Sequence, residues 1–260
     1  MIARRPTLSM LVSAALAETG EAEACIALLA NGGAEIASLS FRRMAERHGD
    51  IALVREALIG DARLPSDCRH TLLVKVGEAL ARSPLVAALV GRARVEKVTR
   101  DACTRASLTL IDATRAEEYV ALVEHLRLRR DLTTGFLIRT VAHGKVDFFG
   151  TALVVLSGQD ATRVRALLAR GQDVALTALF RRAGLASATH GVILCALKVW
   201  REVANGTRLA GVQEVSWLML QELGGPSGTG DLAGLVKSIH LEALRENARG
   251  HALAIASEAA

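Results

Sequence analysis

The feature of this sequence that most constrains its fold is a recurrence of apolar residues every 28 positions near its start. Leu8, Ile36 and Leu64 stand in this register, and the positions eight residues after each of them are also apolar. The apolar spacing of each copy indicates a turn, a helix of about three turns and a shorter second helix. One such helix pair cannot bury its apolar stripe alone, whereas stacked pairs can. The pattern therefore predicts an α-solenoid of HEAT-like helical repeats.

A second recurrence, in the later part of the chain, also has the length of a helical repeat. The segment DFFGTALVVLSG at residues 147–158 matches DVALTALFRRAG at residues 173–184, at a spacing of 26 residues. Both segments begin with Asp and end with Gly, which favour a helix start and a helix stop respectively. We therefore interpret the two aspartates as capping or first-turn carboxylates rather than as reactive groups.

The composition supports an all-α fold. Of the 260 residues 51% are hydrophobic but only 3% are aromatic, and there are four prolines. We expect a core of Ala, Leu and Val, and both Ala and Leu favour helices.

The 28-residue period is lost after residue 92, so we predict an N-terminal helical-repeat block at residues 1–112. The C-terminal block at residues 113–260 is either separate from the first or continuous with it, and we expect a flexible Gly-rich linker at 224–230 before the last helix.

Several phrases of the sequence resemble a known family. They are IARRPTLS, LLANGGAEI, RLPSDCRHTLLVKVGEAL and LLARGQDVALTALFRRAGLASATHGVILCA. They are similar to an uncharacterised bacterial domain-of-unknown-function family with HEAT-like and leucine-rich-repeat-variant-like helical repeats, over residues 2–205. The resemblance implies a helical-repeat fold and no established activity, so it transfers no functional residue to this chain.

The sequence contains no complete catalytic, cofactor or metal motif, and we expect none of these sites. The segment GGPSGTGDL resembles a phosphate-binding loop, but Asp231 stands where such a loop needs Lys. Ser157, His190 and Asp147 could be drawn as a catalytic triad, but no Gly-x-Ser-x-Gly elbow surrounds the serine. The four cysteines and seven histidines lack the paired spacing of a zinc site. These observations favour a protein that is not an enzyme.

The densest basic cluster is HLRLRRDL at residues 125–132. On a helix, Arg127 and Arg130 would lie on one side with Arg129 adjacent, and the three could bind an anionic partner. The alternative is that these cations stabilise the C-terminal end of their own helix. The net charge of +5 is small for this length, so we do not favour nucleic acid as the partner.

The first predicted helix carries an apolar stripe formed by Leu8, Leu11, Val12 and Leu16. Terminal repeats of a solenoid need a polar outer face or a partner that covers them. We therefore predict an N-terminal interface at these four residues. Either a second copy in a homo-oligomer or further upstream repeats would cover it.

Together the patterns favour a helical-repeat scaffold that binds another protein or a peptide segment, for example in a regulatory role. Two alternatives stay open. One is a nucleic-acid-associated HEAT-like protein, and the other is a small-molecule sensor or enzyme with a site between the two helical blocks.

No uncharged run is long enough to span a membrane, and we interpret the cysteines as free thiols. We therefore expect a cytoplasmic location and no membrane partner.

Overall fold

The computed structural model describes residues 2–258, and the regular structure in this range is helical. Residues 2–258 form fifteen α-helices and four single turns of 3₁₀ helix, and no β-strand. The nearest approach to sheet structure is an isolated parallel bridge between Leu8 and Ala34. The all-α prediction is confirmed for this part of the chain.

The chain divides into two compact units, unit 1 (Met1–Leu122) and unit 2 (Val123–Ala260). The helices of unit 1 are α1 (Met10–Thr19), α2 (Ala22–Leu29), α3 (Ser38–His48), α4 (Ala52–Gly60), α5 (Ser66–Arg82), α6 (Pro84–Val90) and α7 (Arg92–Ala113). The boundary falls within α8 (Tyr119–Leu128). The helices of unit 2 are α9 (Thr134–Ala142), α10 (Val146–Ser157), α11 (Ala161–Arg170), α12 (Asp173–Arg182), α13 (His190–Ala204), α14 (Val212–Glu222) and α15 (Asp231–Glu258). The predicted domain boundary at residue 112 stays a prediction.

The longer helices of unit 1 start at a constant spacing. α1, α3 and α5 begin at Met10, Ser38 and Ser66, so successive starts are 28 residues apart. α1 packs on α3, α3 on α5 and α5 on α7, while α2 packs on α4. The core between these helices contains fully buried side chains, among them Leu28, Phe41, Met44, Leu58 and Leu72.

Unit 2 is organised around phenylalanine rings. α9 packs on α10 and α13, α10 on α12, and α14 on both α13 and α15. Phe136 meets Phe148 edge-to-face with ring centroids 6.4 Å apart, and Phe149 meets Phe180 at 6.2 Å. Most of the buried hydrophobic residues are Leu, Ala or Val, as we expect from the composition, and phenylalanine rings add to them. The chain has only five phenylalanines, but all five are buried, because a few large rings can fill the centre between several helices.

The predicted Gly-rich linker has local structure. A turn of 3₁₀ helix occupies Gly225–Ser227, and Gly225 is buried. Nζ of Lys237 in α15 donates to the backbone oxygen of Gly228 at 2.8 Å, so the segment is attached to the helix that follows it. Its flexibility stays a prediction.

Candidate functional site

A groove between α5 and α7 in unit 1 is the best candidate for a binding site. Its volume of about 770 Å³ falls within the size range of ligand sites. Apolar side chains make up most of its wall: Ile59, Leu64, Leu72, Leu73, Val76 and Leu110. Three charged side chains that are partly or fully exposed form its rim, Arg69, Arg115 and Glu118, and the remaining polar lining is Ser66, Thr109 and Thr114. The site is therefore an apolar groove with a mixed-charge rim.

A glycine sets how closely the two walls of the groove approach each other. Gly77 is buried in α5, and a Cβ atom there would overlap Sγ of Cys103 and crowd Cγ2 of Thr99, both on α7. The missing side chain lets the two helices meet at this level. The groove is lined by the part of α5 before Gly77 and by the part of α7 from Ala106 onward.

Glu118 lies on the rim and connects the end of unit 1 to the start of α5. Its Oε2 accepts a hydrogen bond from the backbone N of Ser66 at 2.9 Å, and its Oε1 lies 3.2 Å from Nη2 of Arg115. Burial raises the pKa of Glu118, but the hydrogen bonds from Ser66 and Arg115 outweigh burial, and the pKa lies below its usual value. The ionised Glu118 carboxylate therefore stabilises the folded state above the ordinary pKa of Glu. This contribution is lost as the pH falls through the lowered pKa of Glu118 in the folded state.

The two arginines on the rim differ in what they already bind. The three guanidinium nitrogens of Arg69 donate to the backbone oxygens of Ile59, Asp61 and Leu64, at 3.0 to 3.2 Å. These oxygens lie at and just after the end of α4, where helix carbonyls lack partners within the helix. The side chain of Arg115 is 80% exposed. Arg115 is thus the rim cation that an incoming acidic group can reach.

The three arginines that we predict to bind an anionic partner, Arg127, Arg129 and Arg130, do not share a helix face. α8 ends at Leu128, so only Arg127 lies within it, and the prediction of a common helical face is wrong. The cause is a left-handed residue, since Arg130 has a φ of 63° and reverses the chain there. Anion binding by these residues stays a prediction.

Two of these arginines already have acidic neighbours. Nε of Arg127 lies 2.7 Å from Oε2 of Glu124, and Nε of Arg129 lies 3.3 Å from Oδ2 of Asp131. Exposed ion pairs of this kind contribute about 0–1 kcal/mol to stability. They nevertheless reduce the positive charge that the cluster presents to an anion.

The strain at Arg130 gives a testable prediction. Its backbone N donates to Arg127 O and the backbone N of Asp131 donates to Leu126 O, a helix end that normally has Gly in the left-handed position. Arg130→Gly is expected to raise the free energy of unfolding by about 1 kcal/mol, because Gly adopts positive φ without strain. Urea unfolding followed by tryptophan fluorescence measures the change. The matched variant Arg129→Gly is expected to lower stability instead, and equal effects of the two variants would contradict the assignment.

The predicted N-terminal interface is only partly exposed. Leu8 is buried, because the extended chain before α1 hydrogen-bonds to Gly33 and Glu35 and turns Leu8 into the core. Leu16 packs against the same core. The prediction of a fully exposed stripe is therefore wrong for these two residues. Leu11 and Val12 are exposed, and an interface at those two residues stays a prediction.

The residues of the hypothetical triad do not meet. Asp147 lies in the first turn of α10 and Ser157 is its last residue, a separation of about 15 Å along a helix. Nε2 of His190 lies 3.0 Å from the backbone oxygen of Leu185, where it is buried. These three side chains are therefore not arranged for nucleophilic catalysis.

Within residues 2–258, no group of three or more His, Cys, Asp or Glu side chains is placed to hold a metal ion. No helix in the same range is both long and apolar enough to cross a bilayer. The four cysteines are free thiols. The absence of a cofactor and of catalysis stays a prediction.

Many of the basic residues that give the chain its positive charge cap helices. Nη1 of Arg47 in α3 donates to the backbone oxygens of Ala17 and Gly20 at the end of α1, at 2.8 and 3.1 Å. Nζ of Lys75 in α5 donates to Glu46 O near the end of α3, at 3.1 Å. Arg47 and Lys75 stand 28 residues apart, so equivalent cations cap equivalent helices. Such contacts satisfy orphan carbonyls and complement the helix dipole.

The same use of cations recurs in unit 2. Nε of Arg182 in α12 donates to Ser157 O at the end of α10, at 3.0 Å. Arg201 in α13 donates three hydrogen bonds of 2.6 to 3.0 Å to backbone oxygens at the end of α11. A substantial part of the arginine content is therefore structural.

The caps in unit 1 lead to a localised prediction. Arg47→Met is expected to speed amide exchange at the end of α1, and Lys75→Met at the end of α3, each by about tenfold, because each helix end loses a charged donor. Hydrogen–deuterium exchange of the full chain measures both. Arg92→Met, which removes an exposed arginine, is the control and should leave both helix ends unchanged. Equal acceleration throughout the chain would contradict the capping role.

The groove is the feature that the sequence analysis missed. Glu118 and Ser66 are 52 residues apart, and Arg115 and Glu118 stand in a stretch with the ordinary pattern of a solvated helix end. Gly77, in the interior of α5, is a local signal, since an interior Gly in a helix often has a packing reason. That signal indicates where two helices meet and not what lies beside the contact.

Comparison with known proteins gives one positive result. The model of a family described as an uncharacterised protein conserved in bacteria (DUF2336) matches residues 1–220. A search of curated proteins and a search of solved structures each found no match. The matched range includes the whole of the α5/α7 groove and ends within α14, before α15 begins. The chain therefore belongs to the bacterial DUF2336 family.

Proposed function

We propose that this protein is a non-enzymatic helical-repeat scaffold and that a segment of another protein binds in the groove between α5 and α7. The observation that carries the proposal is the apolar groove of about 770 Å³ with one largely exposed arginine on its rim. The other charged groups there are already hydrogen-bonded, Arg69 to backbone oxygens and Glu118 to Ser66 and Arg115. Such a site offers surface for binding rather than a free acid or base for catalysis.

The proposal includes a HEAT-like solenoid arrangement for the helices of unit 1. Three observations support it: the 28-residue spacing of the starts of α1, α3 and α5, the packing of α1 on α3 and α3 on α5, and the equivalent caps formed by Arg47 and Lys75. Stacked helix pairs of this kind form extended surfaces on which other proteins bind.

The groove favours a short amphipathic helix that carries an acidic residue. Leu73, Val76 and Leu110 are only half-buried and are spaced along two neighbouring helices, as in grooves that accept the apolar face of a helix. The exposed guanidinium of Arg115 can bind a carboxylate with two hydrogen bonds. Because the Arg115 side chain lies mostly in solvent, its ion pair with Glu118 contributes about 0–1 kcal/mol, and exchange of one carboxylate for another costs little.

The two other functions are less well supported. A nucleic-acid partner would need cations spread over an extended surface, and part of the arginine content, including Arg47, Arg182 and Arg201, is instead bound to helix ends. A small-molecule sensor is the second candidate, because the volume of the groove also fits a small apolar acid. That site would lie within unit 1, and a site between the two helical blocks stays a prediction.

A peptide selection tests the proposal. A displayed library of random peptides is selected on the full chain and counter-selected on the variant Ala113→Trp. Ala113 is an exposed residue that lines the groove, so a large ring there should fill it without disturbing the core. We expect enriched peptides with apolar residues at helical spacing and one acidic residue near them.

The matched control is Ala52→Trp, which adds the same ring to an exposed position at the start of α4 outside the groove. Peptides that depend on the groove should bind this variant as they bind the unmodified protein. Enrichment of peptides that bind all three proteins equally would count against the groove. Stabilisation by small apolar acids, with no enriched peptide, would favour the sensor function instead.

The proposed setting is the cytoplasm, which the four free cysteines support. The partner is an unknown protein. A homo-oligomer in which exposed Leu11 and Val12 meet a second copy is a further proposal, and sedimentation of the variant Leu11→Ser would test it.

A further inference from the structure

The segment formed by residues 80–100, here called the basic segment, exposes several apolar side chains to water. It contains α6, whose sequence PLVAALV is entirely apolar and has no buried residue. Leu85 is 70% exposed and Leu89, one helical turn later, is 77% exposed. Leu80 and Val98, at the two flanks of α6, are also exposed. Exposed apolar patches of this kind often mark sites that interact with a protein, a ligand or a membrane.

The same segment concentrates positive charge. It has five basic residues and one acidic residue, a net charge of +4, whereas the rest of unit 1 sums to −3. The basic residues are Arg82, Arg92, Arg94, Lys97 and Arg100, and all five are exposed.

These cations are used differently from the cations that cap helices. Arg82 forms an exposed ion pair with Glu78 at 2.8 Å. Within residues 2–258, Arg92, Arg94, Lys97 and Arg100 form no ion pair with any side chain. Their charge is therefore available to an external anionic surface, next to the exposed leucines.

We propose that the basic segment binds the surface of an anionic lipid bilayer, with Leu85 and Leu89 inserted at the boundary between headgroups and acyl chains. In this arrangement the apolar face of α6 enters about 5–10 Å and the arginines and lysine of the segment contact lipid phosphates.

A bilayer fits this surface better than a protein partner does. The basic segment has no aromatic residue, whereas protein interfaces draw much of their binding energy from Trp and Tyr seated in complementary pockets. The α5/α7 groove ends at Val76 on α5 and resumes at Ala106 on α7, outside the segment. Lipid requires exposed apolar side chains and cations but no complementary pocket.

This proposal revises our expectation of no membrane partner. That expectation followed from the lack of an apolar run that could span a bilayer, and contact with a bilayer surface needs no such run. The proposal does not depend on the function of the groove, because the two surfaces share no residue.

Vesicle flotation of the full chain tests the proposal. The probes are vesicles of phosphatidylcholine alone and vesicles in which about one third of the lipid is phosphatidylglycerol, each at low and at high salt. We expect binding to the anionic vesicles at low salt, at least tenfold weaker binding to the neutral vesicles, and weaker binding at high salt. No binding to anionic vesicles at low salt would overturn the proposal.

Two double variants separate insertion from charge. Leu85→Ser with Leu89→Ser removes the apolar contact, and Arg92→Gln with Arg94→Gln removes two charges; each is expected to weaken binding by about tenfold or more. All four residues are exposed, so the fold should be retained, and circular dichroism checks this. The matched controls are Leu39→Ser with Leu53→Ser, and Arg4→Gln with Arg5→Gln, which alter exposed residues elsewhere in unit 1.

Three results would contradict the proposal. Controls that weaken binding as much as the variants in the basic segment would show a non-specific effect of charge and hydrophobicity. Loss of binding with the arginine variant but not with the leucine variant would exclude insertion. A dimer that dissociates with the leucine variant and does not bind vesicles would show that a second copy covers this surface.

Discussion

Arg139→Ala is expected to lower the free energy of unfolding of unit 2 by about 3–5 kcal/mol, because it leaves a nearly buried carboxylate without its partner. Nη1 of Arg139 in α9 lies 2.8 Å from Oε2 of Glu242 in α15, and the two side chains are only 9% and 14% exposed. Ser238 bridges them, accepting from Arg139 at 3.3 Å and donating to Glu242 at 3.0 Å. This network fixes the last helix to the first helix that lies wholly in unit 2.

Urea unfolding followed by tryptophan fluorescence measures this effect, since both tryptophans of the chain lie in unit 2. The control is the double variant Arg139→Met with Glu242→Leu, which removes both charges together. It should recover most of the lost stability or exceed the original, because neither charge then has to be desolvated. A loss below about 1 kcal/mol for Arg139→Ala would show that water or another group readily replaces the arginine.

Gly77→Ala is expected to lower the stability of unit 1 by about 1–3 kcal/mol, although Ala is the better helix former. The added methyl group would overlap Sγ of Cys103, and Thr99 closes the other side of the same contact. Urea unfolding followed by circular dichroism measures the loss. Hydrogen–deuterium exchange should localise it to α5 and α7.

The sulfur atom can be removed to test this cause. In a Cys103→Ala background, the space left by Sγ accommodates the new methyl group. Gly77→Ala should then be neutral or should stabilise the protein by up to about 1 kcal/mol, through its helix propensity. If Gly77→Ala destabilises the protein with Cys103 present but stabilises it in the Cys103→Ala background, the result supports the packing argument. The same loss in both backgrounds would place the strain elsewhere.

The sequence predicts the helices of this protein better than their contacts. The 28-residue register of Leu8, Ile36 and Leu64 recurs in the starts of α1, α3 and α5, because apolar spacing and turn residues act locally. The solenoid arrangement of these helices is still a proposal.

The features that the sequence analysis missed depend on distant residues or on single backbone angles. Arg139 and Glu242 are 103 residues apart, and no local pattern pairs them. Leu8 was assigned to an exposed stripe because the hydrogen bonds of the extended chain before α1 could not be foreseen. The arginines at the end of α8 were placed on one face because a positive φ at an Arg is rare.

The binding site and the basic segment illustrate the same limit. The composition of residues 80–100 is visible in the sequence, but an apolar stretch such as α6 is usually buried, and only its exposure in the fold makes it a candidate surface. The groove lies beside the contact at Gly77, along the start of α5 and the end of α7. Neither feature is encoded by a motif.

The central claim, that the α5/α7 groove binds a segment of another protein, is tested most directly by the affinity of one selected peptide for three proteins. Fluorescence polarisation gives its dissociation constant with the unmodified chain, with Ala113→Trp and with Ala52→Trp. We predict that Ala113→Trp weakens binding by at least about tenfold, equivalent to about 1.4 kcal/mol, while Ala52→Trp leaves it unchanged. Equal dissociation constants for all three proteins would contradict the claim.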